Sequence, residues 1–114
     1  MHIALAQLNF CVGDIKANTR KIIEHTENAK NLNLDLIVFP ELALTGYPPE
    51  DLLLRRALHE QIDSALFEIT SATSNIGIIL GYPLLMPEGL YNACSLIKDG
   101  KSQTLYYKQN LPNY

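Results

Sequence analysis

Apolar and polar positions follow two different periods along the chain. Short, nearly continuous apolar runs at Ile3–Leu8, Leu36–Phe39 and Ile76–Leu80 each predict a buried strand. Two longer stretches between these runs repeat their apolar residues at near-helical spacing and carry charged residues on the other face. The apolar positions are Ile15, Ile22, Ile23, Ala29 and Leu32 in the first stretch, and Leu58, Ile62, Ala65, Leu66, Ile69 and Ala72 in the second.

Polar residues and prolines set the expected ends of these elements. Asp14 is placed as the N-cap of the first helix, and Asn31 and Asn33 can end it in a left-handed conformation. Glu50 and Asp51 put two acids in the first turn of a short helix that follows a Pro-Pro turn. The segment Gly81–Pro83 is expected to close the third strand, since proline cannot donate to a strand ladder.

A hairpin is predicted in the last third of the chain. Leu90–Ile97 and Ser102–Tyr107 indicate two strands, and Asp99-Gly100 between them is a strong two-residue turn signal. The element order β-α-β-α-α-β-β-β predicts an α/β fold with a mixed sheet of about five strands. Strands this apolar require cover on both faces, and the predicted helices supply one. We therefore expect either further polypeptide beyond Tyr114 or an associated partner on the other face.

Composition narrows the class of function. With 114 residues, 47% hydrophobic and 18% charged, the sequence is typical of one globular domain. A net charge of −3 without a basic cluster argues against nucleic acid as a partner. No apolar stretch is long enough to span a bilayer, and the N-terminus lacks the pattern of a signal peptide, so a cytoplasmic location is expected.

Cysteine and histidine usage gives no sign of a metal site. The two cysteines, Cys11 and Cys94, are too far apart for a zinc or redox motif, and the three histidines are scattered. We expect both thiols to be free and to pack as small buried hydrophobes.

Two charged residues stand where ligands bind in open α/β sheets, past the carboxyl ends of strands. Glu41 follows the second strand and a proline, where partial burial would let it take up a proton near neutral pH. Lys108 closes the fifth strand, where its charge could stabilise an oxyanion. The plainer alternatives are a glutamate that caps a turn or faces solvent, and a solvated lysine at a strand end.

Several motifs resemble the nitrilase (carbon–nitrogen hydrolase) superfamily. The segment Phe39–Tyr47 is similar to its first signature, and Tyr107–Pro112 to its second, in which a lysine closes a strand. The opening segment, together with Tyr91–Ala93 before the hairpin, also fits the order of the family's motifs. Within the superfamily, Gly46–Leu52 and Lys108–Tyr114 are most similar to the glutaminase domains of glutamine-dependent NAD synthetases.

The resemblance implies an α-β-β-α sandwich, of which residues 1–114 form the N-terminal part, and a Glu–Lys–Cys triad. Glu41 would be the general base, and Lys108 would stabilise the oxyanion formed when a cysteine attacks the side-chain amide of glutamine. Tyr114 would line the glutamine pocket and Tyr47 would lie near the ammonia exit. Both tyrosines could equally be packing residues. Superfamily members are commonly oligomeric, so a homo-oligomer is expected.

The sequence departs from the family pattern at the nucleophile. The family's cysteine lies well beyond its lysine, whereas neither Cys11 nor Cys94 occupies that place. No cofactor is expected in residues 1–114. ATP and Mg²⁺ belong to a separate synthetase domain, which would use the ammonia to amidate deamido-NAD. The chain alone is therefore expected to be inactive.

Two other interpretations are compatible with the same residues. One is part of a nitrilase-type amidase that acts alone on a small amide. The other is a non-catalytic assembly module, in which an uncovered sheet face and free strand edges drive association.

Overall fold

The computed structural model describes residues 1–6, 9–46 and 50–109, without the side chains of Glu50 and Gln109. These residues form three helices and five strands. The strands are β1 (Ile3–Leu5), β2 (Leu36–Val38), β3 (Gly77–Met86), β4 (Gly89–Lys98) and β5 (Lys101–Gln109). The helices are α1 (Ile15–Asn31), α2 (Glu50–Leu53) and α3 (Arg56–Ala72).

The strands form one mixed sheet in the order β1-β2-β3-β4-β5. The first three are parallel, with crossovers through α1 and through α2 and α3, and the last three are antiparallel neighbours. The predicted element order and the mixed α/β sheet are therefore confirmed. Because β5 is parallel to β2, the carboxyl ends of these two strands lie at the same edge of the sheet.

Local signals in the sequence account for several element boundaries. The Asp14 carboxylate accepts a hydrogen bond from the Ala17 N–H at 3.1 Å, as an N-cap should. Past the end of α1, Asn33 adopts the predicted left-handed conformation at φ 60°. Asp99 and Gly100, at φ 52° and 77°, form the turn between β4 and β5.

The predicted end of β3 is wrong. The strand continues through Gly81–Pro83 to Met86 and pairs with β4 along its whole length. Its partner on the other side, β2, ends at Val38 opposite Ile79. The later half of β3 is thus a sheet edge on that side, and proline is tolerated at such an edge.

Smaller differences occur elsewhere in the elements. The described part of the first strand ends at Leu5, and Gln7 and Leu8 lie outside the described residues. Leu32 is the C-cap of α1 and is exposed, because the helix ends before its side chain can reach the core. On α3, Ala72 is exposed as well.

The hydrophobic core lies between the helices and one face of the sheet. Ile22 and Ile69 from the helices are completely buried against Ile78 and Leu80 of β3. No helix in the described part of the chain covers the opposite, bare face, where Leu5 is 71% exposed. Among the described residues, no helix is long and apolar enough to cross a membrane.

Candidate functional site

Glu41 stands at the start of a short loop that leaves β2. The next four residues, Leu42–Thr45, are all buried, whereas Glu41 itself is exposed. Of the two interpretations of Glu41, the described residues show the one that faces solvent, and the partial burial that would help it take up a proton is not seen. The chain stays in the core beyond β2, and the Glu41 side chain turns outward.

Hydrogen bonds on its buried side fix the loop that carries Glu41. Leu42 adopts a left-handed conformation at φ 55°, and its carbonyl accepts a hydrogen bond from the Gly46 N–H at 2.7 Å. The buried Asn18 carboxamide donates to the carbonyls of Leu44, at 3.0 Å, and Cys11, at 2.8 Å. A strained residue of this kind persists only when its surroundings fix it, and such residues cluster at functional sites.

Gly81 allows the loop to lie directly on β3. A Cβ atom at this position would be 3.0 Å from the Leu42 backbone nitrogen and 3.4 Å from the Glu41 Cα. A side chain here would force the loop backbone to move by a few tenths of an ångström, so glycine permits the closest approach. The Gly-Tyr-Pro segment that suggested a strand end thus positions the backbone of Glu41.

Lys108 lies at the same edge of the sheet, next to the last residue of β5. Together with Glu41 it lines a cavity of about 380 Å³ on the bare face. The apolar walls of the cavity include Val38, Ile79 and Leu105. The structure therefore brings the two predicted charged residues to one cavity from separate parts of the chain.

Asn92 is a residue of this cavity to which the sequence gave no role. It lies near the start of β4, and its side-chain nitrogen donates a 3.2 Å hydrogen bond to Oε1 of Glu41. Lys108 is its partner across the β4–β5 ladder. Asparagine is uncommon in strands, so a polar residue in this otherwise apolar stretch could have drawn attention to it.

The two cysteines differ from expectation. Cys11 is exposed, so the prediction of burial is wrong there, because the segment before α1 lies at the surface. Cys94 is half-buried and lines the cavity. Burial raises the pKa of the Cys94 thiol, which disfavours the reactive thiolate. Tyr47 and Tyr114, expected near the ammonia exit and in the glutamine pocket, lie outside the described residues.

A wider groove of about 570 Å³ lies between α1 and α3. It is lined by side chains such as Lys16, Arg20, Glu60 and Glu68, which are typical of a solvated helix surface. Neither Glu41 nor Lys108 contributes to it. The two charged residues that the sequence singled out therefore share only the smaller cavity among the described residues.

Comparison with known proteins matches residues 2–114 to the carbon-nitrogen hydrolase family. A glutamine-dependent NAD(+) synthetase of Xanthomonas campestris is 42% identical over 100% of the chain. The chain spans 21% of that relative's length.

Solved structures show the same relationship. The chain superposes on the glutamine-dependent NAD+ synthetase of Acinetobacter baumannii with a TM-score of 0.82 and 41% identity, over 98% of this chain and 21% of the other. A mutant of an amidase of the nitrilase superfamily from Nesterenkonia gives a TM-score of 0.78 at 26% identity, over 100% of this chain and 44% of the other. The nitrilase-like fold and both levels of the sequence resemblance are thus confirmed.

Proposed function

The chain belongs to the carbon-nitrogen hydrolase family, and we propose that it is part of the glutaminase domain of a glutamine-dependent NAD synthetase. In this role the domain hydrolyses the side-chain amide of glutamine. A synthetase domain elsewhere in the polypeptide uses the released ammonia to amidate deamido-NAD. The choice of branch rests on the similarity of NAD synthetases, which in two cases are 42% identical to this chain over 100% of its length and 41% identical over 98%.

One observation carries the catalytic part of the proposal. Glu41 and Lys108 are 67 positions apart in sequence (108 − 41), yet they line the same small cavity. A carboxylate and an ammonium that line one apolar-walled cavity can, respectively, move a proton and stabilise negative charge on a bound substrate. This pair matches the requirements for hydrolysis of an amide through a cysteine thioester.

The residues of this chain would act in two steps. Glu41 accepts the proton of a cysteine thiol, whose sulfur attacks the amide carbon. The Lys108 ammonium stabilises the negative oxygen of the tetrahedral intermediate. Glu41 then returns the proton to the leaving nitrogen as the C–N bond breaks, which releases ammonia and leaves a thioester. In the second step Glu41 activates a water that hydrolyses the thioester to glutamate and frees the thiol.

The attacking cysteine of this scheme lies outside residues 1–114. Cys94 shares the cavity, but its burial favours the neutral thiol over the thiolate. Cys11 does not line this cavity. The Glu–Lys pair in this part of the chain therefore requires a nucleophile from another part of the polypeptide.

A direct comparison of two polypeptides tests the proposal. The whole polypeptide, as its own cell makes it, is expected to release ammonia from glutamine, whereas residues 1–114 alone are expected to release none. The readout is ammonia and glutamate formed over time from pure protein. Ammonia release by residues 1–114 would refute the assignment of the nucleophile, and no release by the whole polypeptide would refute the glutaminase role.

ATP and Mg²⁺ are placed in the synthetase domain and not in this chain. Among residues 1–6, 9–46 and 50–109, no group of three or more His, Cys, Asp or Glu side chains could hold a metal ion. The hydrolysis of glutamine proposed for Glu41, Lys108 and a cysteine uses neither ATP nor Mg²⁺.

A stand-alone amidase is the second candidate, because the Nesterenkonia amidase matches 100% of this chain. The two candidates differ in what the whole polypeptide consumes. A synthetase turns over ATP and deamido-NAD together with glutamine, whereas a stand-alone amidase needs only the amide and water.

The bare apolar face around Ile3 and Leu5 also supports the expectation that further chain or a second copy covers it.

Replacing Gly81 by alanine is expected to impair the site through the backbone. The added methyl group would press on Leu42 and Glu41, which costs about 1–3 kcal/mol of unfolding free energy. A shift of the base by a fraction of an ångström is expected to lower glutamine-dependent turnover by roughly 10- to 100-fold. Urea unfolding and steady-state kinetics of the whole polypeptide measure the two effects.

Gly77→Ala is the matched control for Gly81→Ala. Gly77 is the first residue of β3. Its Cβ would also be crowded, at 3.0 Å, but by the flexible side chain of Leu36 on β2. This variant is expected to lose stability without a comparable loss of turnover. Equal losses of turnover in both variants would show that Gly81 has no special relation to Glu41.

A further inference from the structure

We propose that Asn92 is a positioning residue for Glu41, a role that rests on the proposed function. The Asn92 carboxamide would hold the Glu41 carboxylate in place. Asn92 is the pairing neighbour of Lys108 in the β4–β5 ladder. Three features support this role, namely one directed hydrogen bond, the place of Asn92 in the strand ladder and the exposure of Glu41.

The hydrogen bond has a defined direction. An ionised carboxylate only accepts hydrogen bonds, so the atom of Asn92 that contacts Oε1 of Glu41 is the amide nitrogen, at 3.2 Å. A donor to a carboxylate favours its ionised form, which is the form a general base requires. The contact is at the long end of the usual range, and such bonds tighten when substrate binds.

The sheet fixes where this donor stands. Asn92 is paired with Pro83 on one side and with Lys108 on the other. Its backbone is thus set in the middle of a three-strand ladder, whereas Glu41 lies on a loop. A rigid strand that holds a loop residue is the arrangement expected of a support for a catalytic group.

Glu41 needs such a support because its side chain is exposed. An exposed glutamate samples many rotamers, and ordering a long side chain of this kind costs conformational entropy. Among hydrogen bonds between described side chains, the bond from Asn92 is the one that reaches Glu41. The backbone of Glu41 is held by the buried loop and Gly81, and the carboxylate is held by Asn92.

Two substitutions test this role in the whole polypeptide. Asn92→Ala removes the donor, and Asn92→Asp keeps the shape but replaces the donor with a second carboxylate. Both are expected to lower kcat for glutamine by about 10- to 100-fold, since a hydrogen bond to a charged group is lost. The KM for glutamine should change by no more than about twofold, and turnover with free ammonia should stay at the wild-type level.

The pH profile separates positioning from a merely structural role. The titratable groups that face the cavity with Glu41 are Cys94 of β4 and Lys108 and Tyr106 of β5. The described part of β2 and β3 adds only apolar residues and glycine. In Asn92→Asp the second carboxylate disfavours ionised Glu41, so the acid limb of kcat is expected to move upward by about one pH unit. In the control Asn28→Asp, on the exposed surface of α1, it should not move.

The outcomes distinguish the two levels of the proposal. Normal kcat in both Asn92 variants, or a rise in KM with kcat unchanged, would overturn the positioning role while the glutaminase assignment stands. A wild-type polypeptide that releases no ammonia from glutamine would overturn both. A lower kcat with an unchanged KM and a shifted acid limb would support Asn92 as the residue that positions Glu41.

Discussion

Glu41→Gln in the whole polypeptide is expected to abolish glutamine-dependent turnover and to leave turnover with free ammonia intact. A glutamine side chain has the same shape but cannot accept the thiol proton, and general base catalysis contributes about 10²- to 10⁴-fold. The substituted side chain can still accept the hydrogen bond from Asn92 through its own Oε1. Because Glu41 is exposed, the free energy of unfolding should change by no more than about 0.5 kcal/mol.

The ammonia-dependent reaction is the internal control for this variant. It requires the synthetase domain and the folded polypeptide but not the glutamine site. Glu68→Gln, an exposed glutamate on α3, repeats the same chemical change away from the cavity and should leave both reactions unchanged. Retained glutamine-dependent turnover in Glu41→Gln would reject Glu41 as the base.

Lys108→Ala should slow formation of the thioester without disturbing the fold. Loss of one oxyanion stabiliser costs about 3 kcal/mol in the transition state, or roughly a hundredfold or more in rate. The effect should appear in kcat, because the charge on the oxygen develops only in the transition state. Lys108 is exposed at the end of β5, so its removal leaves no cavity in the core.

Lys101→Ala supplies the comparison for Lys108. Lys101 is also an exposed lysine on β5, but it lies at the other end of the strand, beside the hairpin turn. Rapid-mixing measurements of the first turnover should show a slow thioester step only in Lys108→Ala. A near-normal rate in that variant would leave Lys108 as an ordinary surface residue.

The elements of the fold could be predicted where local physics decides the structure. The helical period around Ile22, the cap at Asp14 and the Asp99-Gly100 turn each depend on neighbours in sequence, and each is confirmed. The end of β3 depends on the length of β2, which is too short to pair beyond Ile79 and so leaves Pro83 at a sheet edge. Residues near Pro83 in sequence carry no information about the length of β2, so the sequence predicts a strand end there.

The site shows the same division. That Glu41 comes just after one strand and Lys108 lies near the end of another could be predicted from the sequence, and parallel strands bring such positions to one edge. The exposure of Glu41 could not, because it depends on how Leu42–Leu44 fill the core below it. The contact with Asn92 joins residues 51 positions apart and required the register of β4.

Gly81 has a different structural role from the one that its sequence neighbours indicate. In sequence it appears with Tyr82 and Pro83 as part of a turn signal. In the structure it lies within a strand, where the absence of a side chain admits the backbone of Glu41. Glycine inside a strand often marks such a close approach of another segment, which is the interpretation that the structure supports.

Glu41 and Lys108 are expected to serve a cysteine from outside residues 1–114 in the hydrolysis of glutamine. Treating the whole polypeptide with an electrophilic glutamine analogue and locating the covalent adduct by peptide mass mapping tests this expectation directly. One adduct is expected, on a cysteine beyond residue 114, formed in competition with glutamine. An adduct on Cys94 or Cys11, or turnover of glutamine by a polypeptide in which no cysteine is labelled, would contradict it.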